Sequence, residues 1–360
     1  MSDSSQSTKT ISDFEATLSG ADKSVASFEH EHVTPLQKLR VFLHAYPVSV
    51  PIFVLVLSVL LFGITTNGLI FMPGNLSTIL KQVTPIGIVA IAQTIIILTA
   101  GIDLSIGAIM VLSMIVMGKL GVQSGLPEPI AIAIGLFAGG VMGYVNGVLV
   151  TRLRLPPFIV TLGTLYVYQA LKLWYSGSES IRNVDIEEKA PGLLFFGQGF
   201  NFGGASISYG GITLILLAAV LWYVLNHTAW GRHVHAIGDD PDAAMLSGIR
   251  VGRTLISVYT VAGLICGFAA WVAIGRVGSI SPIAFADVNL ASITAVVIGG
   301  TSLFGGRGSI IGSVLGAIIV GVFITGLSLA GVDDYWQKFA AGCLVIIAVA
   351  LDQWLRRASQ

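Results

Sequence analysis

The sequence predicts an all-α, polytopic membrane protein with about ten transmembrane helices and both termini in the cytoplasm. Three observations carry that prediction. Hydrophobic residues make up 54% of the chain and charged residues 11%, against about 25% charged in a soluble domain. Mean hydropathy is +0.85. The apolar runs are continuous, where the strands of an outer-membrane barrel would alternate, so the spans are helical.

The elements follow in order. Residues 1–33 are rich in Ser, Thr, Asp and Glu and lack an apolar core, so they read as a disordered cytoplasmic tail and not as a signal peptide. At 34–47, Leu36, Leu39, Leu43 and Tyr46 recur at helical spacing beside Lys38 and Arg40. That pattern predicts an amphipathic surface helix. A transmembrane domain follows at 48–353, then a cytoplasmic tail at 354–360. Its spans are expected near 48–69, 83–101, 104–122, 129–150, 157–175, 211–227, 254–275, 290–303, 309–329 and 336–353. The segment at 290–303 is the least secure, and a count of nine stays open. With the N-terminus inside, the tight basic pairs Lys38/Arg40, Arg152/Arg154, Arg250/Arg253 and Arg356/Arg357 all face the cytoplasm. The polar connection 176–209 then faces outward.

Between Val83 and Gly118 the only charged side chain is Asp103, inside GIDLS. At about 1.5 Å per residue this run would cross the roughly 30 Å hydrocarbon layer nearly twice. Asp103 is therefore expected at the seam of two spans, near the cytoplasmic face, as a cap accepting from the amides of Ser105 or Ile106. An acid at a span centre would cost roughly 2.5–3.5 kcal/mol even on insertion scales.

Glycines repeat every fourth residue at Gly139, Gly143 and Gly147 and at Gly308, Gly312 and Gly316. Such stripes let helix backbones approach closely. TAGIDLSIGAI and IGGTSLFGGRGSIIGSVLGAI echo one another, each a glycine-rich turn between paired spans on the same side. Gly101, Asp103 and Ser105 mark the first turn and Gly305 and Gly306 the second.

Outside the spans, 228–253 is the most organised stretch. Asp240 suits an N-cap, Pro241 the first helical position, Asp242 the positive helix end, and Gly248 a left-handed stop. A helix of about two turns is expected through Ala243, Ala244, Met245 and Leu246, and so short a helix needs a docking partner. A plain surface turn is the alternative. His233 and His235, two apart, do not share a helix face and do not suit a metal.

Several function classes are excluded. Formal net charge is zero, which gives nucleic acid no electrostatic footprint. GGTSLFGGRGS lacks the Gly-Lys-Ser/Thr of a phosphate loop, and the chain's Gly-Lys pair, Gly118-Lys119, is followed by Leu120. No catalytic triad, carboxylate pair or metal-ligand set lies within the spans, so the chain is not expected to be an enzyme or to bind a cofactor. Cys266 and Cys343 read as apolar packing residues. The polar groups inside the spans are uncharged. Gln93, Asn146, Thr161 and Thr294, with Thr94, Thr99, Thr164, Gln169, Thr301 and Thr325, suit a neutral, hydroxyl-rich solute or ordinary interhelical bonds. The amides of Gln93 and Asn146 are the dearest to bury.

Four strings, GIDLSIG (101–107), NGVLVTRLRLPPFIVTLGTL (146–165), WGRHVHAIGDDPDAAMLSGI (230–249) and AVVIGGTSLFGGRGSIIG (295–312), resemble the membrane permeases of monosaccharide ABC importers. This is the ribose, xylose, arabinose and autoinducer-2 class, and the chain is most like its fructose-importing members. The resemblance covers about residues 50–353. It implies a multi-pass inner-membrane subunit that pairs with a second permease copy and receives a monosaccharide from a periplasmic sugar-binding protein. A separate cytoplasmic ATPase would supply the energy. The helix around Asp240–Ser247 would then be the coupling helix, with Arg232, Asp240, Pro241, Ala243, Ala244, Ser247 and Gly248 seating on that ATPase. Many relatives carry acids just before AVVIGG, where this chain has Asn289 and Ala291. Asn289 therefore joins the translocation-path candidates. The rival reading is a gradient-driven secondary sugar transporter, which wants charged groups near the bilayer midplane.

Overall fold

The computed structural model describes residues 49–357. The tail at 1–33, the surface helix at 34–47 and the last three residues of the C-terminal tail lie outside the described residues. Helices α1 (Ser49–Thr65), α2 (Pro73–Ile97), α3 (Ile106–Gly118), α4 (Glu128–Leu153) and α5 (Pro157–Ser176) come first. Then follow α6 (Asn183–Lys189), a hairpin of β1 (Gly199–Phe202) and β2 (Ala205–Ser208), and α7 (Tyr209–His227). The chain continues through α8 (Ala229–Asp239), α9 (Pro241–Leu246), α10 (Val251–Val277), α11 (Val288–Ile298), α12 (Ile310–Leu329) and α13 (Asp334–Arg357).

Each expected span carries a helix. Among the described residues, six segments are long and apolar enough to cross a membrane: α2, α3 with its continuation to Gln123, α4, α7, α10 and α12. The segment at 290–303 departs most from expectation. Its helix, α11, has 11 residues, or about 16 Å of rise, half a hydrocarbon layer. The final helix also runs past 353, to Arg357.

At the centre of the bundle, every residue of α2 from Val83 to Ile97 is buried. A helix apolar around its whole circumference belongs in such a place. It packs on α7, α10, α11 and α12. The glycine stripes supply the closest approaches. On α4, Gly139 and Gly143 meet the backbone of Gly263 and Tyr259, while Gly147 meets Ile256, all on α10. Gly263 and Gly267 notch α10 in return, and α4 with α10 is the most extensive helix pair. Where lipid tails are as apolar as leucine, backbone contact of this kind drives association. In the second stripe, Gly312 and Gly316 pack α12 onto the carbonyls of Gly299 and Ala295, whereas Gly308 lies in the turn before α12, against Thr301.

The connection 176–209 is folded. It holds α6, a 3-10 turn at Pro191–Gly197 and the antiparallel hairpin. Gly203 and Gly204 take positive φ of 57° and 81°, the pair that a two-residue primed turn requires. An isolated bridge between Ile181 and Ile280 ties this region to the segment after α10.

Candidate functional site: two helix breaks and the helix that spans them

The chain leaves α2 at Ile97 and re-enters helix at Ile106. Ala100 turns it with φ 59°, and Gly101 is needed beside it, because a Cβ there would sit 2.9 Å from the Tyr259 hydroxyl. The exposed peptide groups of the break are met by a neighbour. Thr161 Oγ1 on α5 accepts from the Leu104 amide (3.2 Å), and its one proton is within reach of both the Ile102 carbonyl (3.1 Å) and Pro157 O of its own helix (2.9 Å).

Asp103 is 2% exposed. Its Oδ1 accepts from the Ser105 amide and hydroxyl, both at 2.7 Å, and its Oδ2 from Asn146 Nδ2 at 3.2 Å. Asn146 also donates to Ser105 Oγ (2.7 Å) and accepts from the Tyr168 hydroxyl (3.2 Å). Buried polar groups are tolerated when matched in this way. The expected bond from the Ser105 amide is present. Its other partner, Asn146, lies seven residues, about 10 Å, from the end of α4.

The second break mirrors the first. The amide of Gly107, at the start of α3, donates 2.6 Å to Oδ1 of Asn289 at the start of α11. Two helix N-termini thus abut inside the protein. After α11, Gly305 and Gly306 take φ of 87° and 72°, and the Gly306 amide donates to the Leu98 carbonyl at 3.0 Å. The two glycine turns are in direct contact.

Across both lies α8. Thr228 caps it, accepting from Gly231 (3.2 Å), and its buried face is Gly231, Val234, Ile237 and Gly238. Gly238 packs against Leu98 O and the Gly306 amide with no room for a side chain. His235 Nδ1 lies 3.0 Å from Gly306 O. The next helix, α9, projects outward. Asp240 Oδ1 accepts from Asp242 N (2.9 Å) and Ala243 N (3.0 Å). Gly248, at φ 86°, ends it, with Ile249 N to Ala244 O (3.1 Å) and Gly248 N to Met245 O (3.0 Å). That bond pair is the Schellman stop. Ala244 faces inward, while Met245 and Leu246 are 59% and 87% exposed.

Comparison with known proteins shows the family of the chain. A family model described as a branched-chain amino acid transport system permease component matches residues 75–349. The chain is 53% identical to the fructose import permease FrcC of Rhizobium meliloti, over 96% of both chains. It is 37% identical to the ribose import permease RbsC of Bacillus subtilis, over 88% of this chain and 93% of that one. With the D-allose transport permease AlsC of Escherichia coli it shares 32%, over 85% and 91%. The chain belongs to this permease family. It is a membrane subunit of the ABC-type sugar-import class, a non-catalytic translocation component of the inner membrane. No solved structure matches.

In this permease the sequence-predicted residues fall into separate groups. Asn146, Thr161, Gly101, Asp103 and Ser105 converge on the first break. Asn289 joins the two helix starts. Thr294 donates within its own helix, to Leu290 O (2.6 Å), and meets none of the others. Gln93 is fully buried, and neither amide atom has a partner; the same holds for Ser113 Oγ and Tyr259 OH. Arg232, Asp240, Pro241, Ala243, Ser247 and Gly248 are exposed along α8 and α9. Among the described residues no group of His, Cys, Asp or Glu could hold a metal.

Sequence reasoning missed α8 itself, His235, Gly238, Tyr168 and Tyr259. A glycine inside HAIGDD, in neither a turn nor a cap, was the available signal for close backbone approach.

Asp103 yields a test. Asp103→Asn keeps an acceptor for both Ser105 donors and loses about 1 kcal/mol at the Asn146 contact. Asp103→Leu orphans the two buried Ser105 donors at roughly 1–3 kcal/mol each and leaves Asn146 Nδ2 with Ser105 Oγ alone. Melting of the purified permease should barely move for the first and collapse for the second. Loss of sugar affinity alone, with normal melting, would make Asp103 a ligand and not a brace.

Proposed function

We propose that this chain is the translocation subunit of an ATP-driven importer whose substrate is fructose or a closely related monosaccharide. It spans the membrane about ten times with both termini cytoplasmic, works beside a second copy of itself, and takes sugar from a periplasmic binding protein. The region 228–253 is the coupling loop: α9, with Arg232 beside it, seats on the ATPase.

One observation carries the mechanism. Helix α8 rests on both glycine turns at once, through Gly238 and His235, so force on α9 reaches both helix breaks together. The sugar path follows the junction of the interrupted helices. Backbone donors left by a broken helix suit a polar solute where the backbone is buried in protein. Gln93 and Asn289 line that path, and Asn146 and Thr161 hold its wall in place. The unmatched amide of Gln93 and hydroxyls of Ser113 and Tyr259 offer hydrogen bonds that an uncharged, hydroxyl-rich solute can take up.

Substrate identity is tested by uptake of labelled fructose, ribose and xylose in a strain lacking the chromosomal permease. Fructose uptake should return on complementation, at a rate at least tenfold above that of xylose. Equal restoration of all three, or of ribose only, would displace fructose.

A further inference from the structure

Two cations line a small cavity at the far end of the bundle from α8. Its wall is built by Lys81 and Thr84 of α2, Phe196 and Gly197 of the 3-10 turn, Ser208 and Gly210 at the start of α7, and Val272 and Arg276 of α10. It holds about 60 Å³, which is room for about two waters and far below a ligand pocket of roughly 300–1,000 Å³. A monosaccharide does not fit. Gly197 and Gly275 close the wall backbone to backbone.

The charges are unbalanced. Among the described residues, ion pairs form at Lys338 only, so neither Lys81 nor Arg276 has a carboxylate partner. Arg276 leans 5.9 Å over the Phe285 ring. Glu187 lines an adjoining open groove of about 370 Å³, shared with Arg276 and Gly197, without pairing to it. Two like charges around one cavity repel, and an anion between them reverses the sign of that interaction. One hydroxyl adds to the polar wall. Ser208 Oγ accepts from the Gly211 amide (3.2 Å), leaving its proton free to donate, whereas the Thr84 hydroxyl donates to the Leu80 carbonyl (2.7 Å).

We infer that this pit is a binding site for one small oxyanion, a carboxylate, phosphate or sulfate, held between the guanidinium fork of Arg276 and the ammonium of Lys81. Two sources offer that chemistry: a free anion, or an acidic side chain of a protein docked on the face that the groove opens to. The second source rests on the proposed function, which puts this face outside the cell and brings a binding protein to it.

The full-length permease in nanodiscs, titrated with radiolabelled sulfate at constant ionic strength, tests the site. One saturable site per chain is expected, weakened at least tenfold by Lys81→Gln and by Arg276→Gln and unchanged by Lys189→Gln. Arg276→Lys, which keeps the charge and loses the fork, should fall between wild type and Arg276→Gln. Absence of saturable binding, or binding indifferent to both glutamine variants, overturns the site. A second arm separates the sources in the reconstituted importer. If sulfate competes with the sugar-loaded binding protein and Arg276→Gln raises the concentration of that protein needed for uptake, the occupant is an acidic side chain. If sulfate binds and uptake ignores it, the occupant is a free ion. Failure of wild-type uptake in every condition would count against the proposed function and leave the sulfate result standing.

Discussion

Ala244→Pro is expected to abolish capture of the ATPase and all ATP-driven uptake, while the permease still inserts and folds. Helix α9 has six residues, and the Ala244 amide donates to Asp240 O at 3.0 Å. Proline removes that bond and clashes with the same carbonyl, at a cost of about 3 kcal/mol or more. So short a helix has no further turns to absorb the loss. The exposed Met245 and Leu246 would then no longer be presented as one surface. Arg232→Glu attacks the same contact by charge, on an exposed side chain of α8, and should likewise eliminate ATPase capture. Pull-down from membranes, with protein amount and melting as controls, reads both. Normal capture by either variant would remove this loop from the coupling role.

The second large effect is expected at Gly143. Any Cβ there overlaps the Tyr259 carbonyl and comes within 3.0 Å of Gly263 Cα. Both are backbone, so no rotamer change relieves the clash, and α4 must move away from α10. Overpacking typically costs about 1–3 kcal/mol. Here the cost should exceed that range, because Tyr259 also abuts Gly101 at the first break and the displacement carries into the turn. Gly143→Leu should therefore fail to accumulate, and Gly143→Ala should melt well below the wild type. Gly163 on α5 has open space around its Cβ position, and Gly163→Ala should be neutral or slightly stabilising, as Ala is the better helix former by about 1 kcal/mol. Equal melting of Gly143→Ala and Gly163→Ala would contradict the packing account.

The membrane class and the placement of the helices were legible because lipid imposes one requirement, continuous apolar helix, on long stretches of sequence. The α9 cap was legible for a different reason: Asp240, Pro241 and Gly248 each act within a few residues of chain. What escaped was set by contacts distant in sequence. The side chain of Asn146 that reaches Asp103 from α4 stands 43 residues away in sequence. Residues 290–303 read as a span because apolar content does not reveal that α11 stops at Ile298. The hairpin at Phe202-Gly203-Gly204-Ala205 was readable from its glycine pair, but the polarity of the whole connection masked it. Helix α8 was hidden because its apolar face is filled partly by glycines, whose value lies in the backbone opposite them.

Labelled fructose uptake by proteoliposomes, with the permease reconstituted alone or with its ATPase and binding protein, tests the central claim. Uptake is expected only when all three proteins and ATP are present, and it should survive collapse of proton and sodium gradients. Accumulation by the permease alone, driven by either gradient, would contradict the account and make the chain a secondary transporter.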